Sequence, residues 1–296
     1  MVQRAFFMVL MALVGLGGLI STSTALEAPD PAGLIAEAEA LFDRWDGEEF
    51  DFAAYEAKLR RAIALWEEAL PLIPAEQVQT KTHMLDRLSQ AYFELAEGYL
   101  TGKEREPAYG KGKDYALESL RLEPEFVQVE AEEGFRAALR AATDVAAIFW
   151  YGNNLGKWLD YHFAAALGGG VGDVKAAFER SVELDETYDG GGPHRALAAF
   201  LAQVPGFLGG SREEARPHFE RSIQLGPDYL ENYVNYADYY AKPKRDWDLF
   251  CSLLKTALEK AQDPAVMAKW PFYNTLALER ARALWSYRYR GERVCG

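Results

Sequence analysis

The chain has 296 residues, 49% of them hydrophobic and 13% aromatic, with 45 acidic side chains against 32 basic ones and a formal charge of −13. That composition supplies a substantial core and excludes a disordered or collagen-like chain. An isoelectric point near 4.9 excludes the basic stripe that phosphate backbones require, so nucleic acid is not an expected partner.

In chain order, Arg4 precedes an apolar run over residues 5–20, and Ser21-Thr22-Ser23-Thr24-Ala25 follows with small residues suited to a signal peptidase. Charge, apolar run and small residues in that order spell a secretory signal. The expected division is a leader over 1–25 and one all-helical domain over 26–296. The apolar run falls short of the roughly 20 residues that cross a bilayer; retention as an uncleaved anchor is the alternative. No cysteine lies near the cut, so no lipid anchor is written there. Removing the leader deletes one cation, Arg4, which takes the charge to −14, and export places the chain in an oxidising compartment.

A spaced pattern then recurs: a small residue, a large apolar one four positions on, a small one three further, and a helix stop five beyond. Ala62, Trp66, Ala69 and Pro74 fit it, as do Ala215, Phe219, Ser222 and Pro227. Val174, Phe178, Ser181 and Glu186 fit with weaker ends. Gly112, Ala116, Ser119 and Pro124 lack the bulky member, and Phe250, Leu254, Ala257 and Gln262 lack the first small one and the proline. Positions i, i+4 and i+7 share one helical face, the form of the second helix in a tetratricopeptide-type hairpin. First helices are expected around Leu85, Leu88 and Tyr92, and around Tyr233, Tyr236, Ala237 and Tyr240. Ser211 and Glu214 form a capping box, and Pro217, inside the same helix, is expected to kink it. The fold class is all-α, a degenerate array of helical hairpins ending in a closing helix from about Asn274 to Tyr289.

The middle of the chain departs from this regularity. Phe149, Trp150, Tyr151 and Trp158 crowd beside Asn153, Asn154 and Lys157, and glycine loops follow at 168–172, 189–192 and 206–210. Aromatics interleaved with amides suit, as a cluster, an apolar pocket with a few orienting polar groups; singly, each aromatic reads better as core. Cys251 and Cys295 either close a disulfide that pins the tail or stay apart, Cys251 buried and Cys295 frayed; spacing alone does not decide. Enzyme chemistry is not expected. His83, His162, His194 and His218 fall in no zinc-ligand spacing, neither a nucleophile elbow nor a phosphate-binding loop occurs, and no cofactor or metal is expected.

The central motifs also carry a resemblance. The stretch Phe149-Trp150-Tyr151-Gly152 through Trp158, the run Ala177-Phe178 through Leu184-Asp185, and Gly192-Pro193-His194-Arg195-Ala196-Leu197 resemble the T component associated with tripartite ATP-independent periplasmic (TRAP) transporters. So do Pro205-Gly206 with Gly209-Gly210, and Ala215 with His218-Phe219. The resemblance implies a periplasmic, all-helical protein with cryptic tetratricopeptide units, forming a homotrimer, with an apolar channel through each protomer. The implied partner is a periplasmic solute-binding protein, and the implied ligand a small, apolar organic acid. On that basis Trp150, Tyr151, Asn154, Trp158 and Phe207 are expected to line the channel, and Lys157 and Arg195 to contact the acid group. A generic tetratricopeptide scaffold for protein partners is the alternative.

Overall fold

A computed structural model describes residues 30–42 and 50–295, so the leader expected over 1–25 lies outside the described residues. Those residues are almost wholly helical, and the all-α class holds. In order come α1 (Pro31–Leu41), α2 (Phe52–Ala69), α3 (Val78–Gly98), α4 (Arg105–Leu120), α5 (Pro124–Glu133), α6 (Phe135–Ala141) and α7 (Val145–Leu159). After a short α8 (Phe163–Ala165) follow α9 (Val171–Leu184), α10 (Tyr188–Gln203), α11 (Arg212–Leu225), α12 (Leu230–Asn235), α13 (Lys242–Lys244), α14 (Trp247–Lys260), α15 (Pro264–Lys269) and α16 (Pro271–Trp285). None of these is long and apolar enough to cross a membrane.

Local chemistry sets the helix ends. Asp30, Asp51, Asp144 and Asp263 each accept backbone N–H bonds at a helix start, satisfying donors that have no intrahelical partner. Pro31, Pro124, Pro264 and Pro271 each occupy a first helical position, where a missing N–H costs nothing. Ser211 accepts from the Glu214 N–H at 3.3 Å, but its own N–H donates to Leu201 O at 2.8 Å. The capping box is therefore half formed.

The recurring stripes lie on α2, α4, α9, α11 and α14, and every small and large member within those helices is buried. Neighbouring helices meet across them: α1 on α2, α3 on α4, α7 on α9, α10 on α11, and α12 on α14. Helix α7 also packs on α3 and α4, and α16 closes against α12 and α14. Glu94 ties the two ends of the chain together, accepting the Tyr55 hydroxyl from α2 and the Tyr273 hydroxyl from α16, each at 2.9 Å.

Helix α11 is continuous through Pro217; the carbonyl left without a donor belongs to Glu213, in the exposed first turn. One local expectation is corrected. The closing helix stops at Trp285 rather than near Tyr289. Arg290 and Gly291, both at positive φ (54° and 88°), turn the chain so that β1 (Arg288–Tyr289) pairs antiparallel with β2 (Glu292–Arg293), the twist that two-residue hairpin turns favour. Beyond that hairpin Cys295 is bonded to Cys251 of α14, their Cα atoms 5.5 Å apart.

Candidate functional site

A cavity of about 260 Å³ is bordered by α3, α7, α9, α10, α12 and α16. Helix α7 sets its character. Trp150, Asn153 and Lys157, spaced i, i+3 and i+7, form the face that lines it. Tyr151, Asn154 and Trp158 keep the same spacing one residue later, so they are rotated by about 100° and face neighbouring helices instead.

The expected lining residues therefore divide. Trp150, Lys157 and Arg195 border the cavity; Tyr151, Asn154, Trp158 and Phe207 do not. Tyr151 is buried edge-on against Phe135 at 5.8 Å. Asn154, fully buried, donates to Ser89 O, Ser89 Oγ and Trp150 O. A Cβ on Gly112 would come within 2.4 Å of the Asn154 amide oxygen, so that glycine permits the close approach of α4 and α7. Trp158 stacks on His162 at 3.6 Å and donates to Glu106. Phe207, in the single turn Gly206–Leu208, is 84% exposed.

Around the cavity an apolar wall of Phe93, Phe149, Trp150, Val174, Phe178 and Phe200 meets a charged end. Lys157 Nζ lies 2.9 Å from Glu97. Burial alone would raise the Glu97 carboxyl, but Lys157 and the Tyr109 hydroxyl hold it below its ordinary value. Arg280, from α16, bridges Glu231 and the Asn235 amide oxygen, both at 3.0 Å, and reaches Asp238 and the Tyr239 hydroxyl. Tyr239 stands in a π-helical turn, Tyr236–Ala241, that joins α12 to α13; such turns redirect side chains and recur at functional sites.

Arg195 is reached from the glycine run. Asp189, Gly190 and Gly191 take left-handed torsions (φ 47°, 62° and 80°) before α10 settles into regular geometry. At Gly191 a Cβ would meet Ser222 O at 2.8 Å, so no other residue fits. The turn is locked from within: Arg195 Nη2 donates to the Asp189 carboxylate at 2.7 Å, and Nη1 donates to Asn232 Oδ1 at 2.9 Å. Asn232 in turn donates to the carbonyls of Gly190, Ser222 and Gly226. Burial pushes Asp189 up to about 6 even with Arg195 and the Tyr229 hydroxyl pulling the other way. Arg195 thus borders the cavity mainly as the clamp of its own loop.

Trp150, Asp189 and Tyr273 also border a second cavity of about 170 Å³, lined as well by Arg87, Gln90 and Trp270. Among the described residues no cluster of three or more His, Cys, Asp or Glu side chains is arranged to hold a metal ion. The charged end, Glu97, Glu231, Tyr239 and Arg280, is missing from the sequence reading. Asn153 and Lys157 could have been coupled to Trp150 by helical phase, whereas Arg280 meets Glu231 only through the packing of α16 on α12.

Fold and cavity together define an all-α protein with a chamber lined by both aromatic and charged side chains. The sequence model of the TRAP transporter T-component family matches residues 78–289, which takes in every helix that borders the chamber, and the chain belongs to that family. No curated protein sequence matches it significantly.

Proposed function

We propose that this T component is an exported, periplasmic ligand-binding protein that holds a small organic acid in the chamber and docks a solute-binding protein of its TRAP transporter. In this reading the paired helices are tetratricopeptide-like units and the working form is a homotrimer. The observation that carries it is the chamber's mixed lining: aromatic rings from α3, α7, α9 and α10 together with Lys157 and Arg280. Apolar burial supplies affinity for the body of a ligand, and a cationic pair orients a carboxylate.

Native mass spectrometry of the exported protein tests the reading, since it reports oligomer mass and carried ligand together. The expected spectrum shows a trimer with bound small molecule that is lost on Trp150→Ala and weakened on Lys157→Met. A ligand-free monomer that stays ligand-free with added carboxylates would overturn it.

A further inference from the structure

Resting on the ligand reading just given, we infer that the acid this chamber takes also carries an ammonium group, so that its head is amphoteric, as in an amino acid. Two observations on the lining lead there. First, each lining cation already has a carboxylate: Lys157 has Glu97 at 2.9 Å, Arg195 has Asp189 at 2.7 Å, and Arg280 has Glu231 at 3.0 Å with Asp238 at 3.5 Å. A bare carboxylate ligand must share or displace one of these partners, which returns little of its own desolvation cost.

Second, the lining holds four carboxylates, Glu97, Asp160, Asp189 and Glu231, against three cations. The carboxylate in excess is Asp160, which has no ion-pair partner among the described residues and stands in the C-cap of α7, where the helix end adds further negative potential. Lys157 and Arg280 are close enough to influence one another's charge, and Lys157 and Glu97 are close enough to influence that of Asp160. A simple anion would deepen the negative excess. A zwitterion leaves it unchanged, with its carboxylate toward Arg280 and Lys157 and its ammonium toward Asp160.

The test is calorimetric titration of the full chain at pH 7 with three probes that share one apolar body: 3-phenylpropionate, L-phenylalanine and 2-phenylethylamine. L-Phenylalanine is expected to bind about tenfold or more tighter than either of the others. Asp160→Asn, at an exposed position where folding is not at stake, is expected to remove most of that advantage while leaving phenylpropionate unchanged or improved. Phenylpropionate binding as tightly as phenylalanine, or Asp160→Asn leaving phenylalanine unaffected, would overturn the amphoteric head and leave the chamber standing as an acid site. Binding of none of the three would overturn both readings, as would binding undisturbed by Trp150→Ala.

Discussion

Asp86 and Glu97 lie eleven residues apart on α3, three helical turns, and so face nearly the same direction, yet the fold treats them oppositely. Glu97 meets Lys157 at the C-terminal end of α7 and the hydroxyl of Tyr109. Asp86 meets the other end of α7, where Asp144 caps the helix and Glu123 stands behind it. Its Oδ1 is buried with no hydrogen-bond partner among the described residues. Burial, reinforced by the Asp144 and Glu123 charges, pushes the Asp86 carboxyl up to about 8. One end of the α3–α7 contact therefore buries acid as a neutral carboxyl, and the other buries it as half of an ion pair bordering the chamber.

The sharpest way to break this contrast is Asp86→Asn. An acid whose pKa is raised by folding holds a proton that the unfolded chain has released, so stability falls as pH rises from about 4 to about 8, by up to ~1.4 kcal/mol per unit. Asparagine does not titrate. The variant is expected to flatten that slope and to be the more stable protein at pH 8, measured by urea unfolding across the range. An unchanged slope would place the charge elsewhere.

A smaller but still large effect is expected from turning a paired acid into an unpaired one. Arg195→Ala leaves Asp189, already pushed up to about 6, buried without its cation, at an expected cost of about 3–5 kcal/mol at pH 8. Without the guanidinium the Asp189 carboxyl rises further, so the deficit should shrink as pH falls from 8 toward 6 and level off below it, where Asp189 is protonated in both proteins. Adding Asp189→Asn should recover more than half of the loss at pH 8. If the double variant is no better than the single one, lost packing of Arg195 on the Tyr229 ring, 4.1 Å away, is the larger cause.

The contrast also shows what the sequence could convey. The stripe of Ala62, Trp66 and Ala69 and its counterparts announce their buried face because the opposite face of each helix is polar. Helix α7 offers no such phase: Ile148, Phe149, Trp150 and Tyr151 are all buried, so the aromatic cluster was visible while its orientation was not. A one-residue choice of phase separates Trp150 and Lys157, which border the chamber, from Tyr151 and Trp158, which do not. Glu97, Tyr239 and Arg280 were beyond reach for a different reason. Charged residues on helix surfaces are usually solvated, and only the packing of α16 and α3 around α7 turns these into a wall.

The mildest test lies at the paired end. Glu97→Gln keeps an acceptor for the Tyr109 hydroxyl and removes the charge opposite Lys157, whose side chain is 39% exposed, facing the chamber. An acid whose pKa is lowered by folding stabilises the protein above its unfolded value, here 4.5, and loses that contribution as pH falls through the folded value. Glu97→Gln should therefore cost about 1 kcal/mol at pH 7, and the difference from the parent protein should narrow toward pH 4, measured by the same urea titrations. Asp86→Asn and Glu97→Gln would then change the pH profile in opposite senses from positions on one face of one helix. Shifts of the same sign would show that α7 presents a single electrostatic environment along its length, and that its cationic end owes nothing to the chamber it borders.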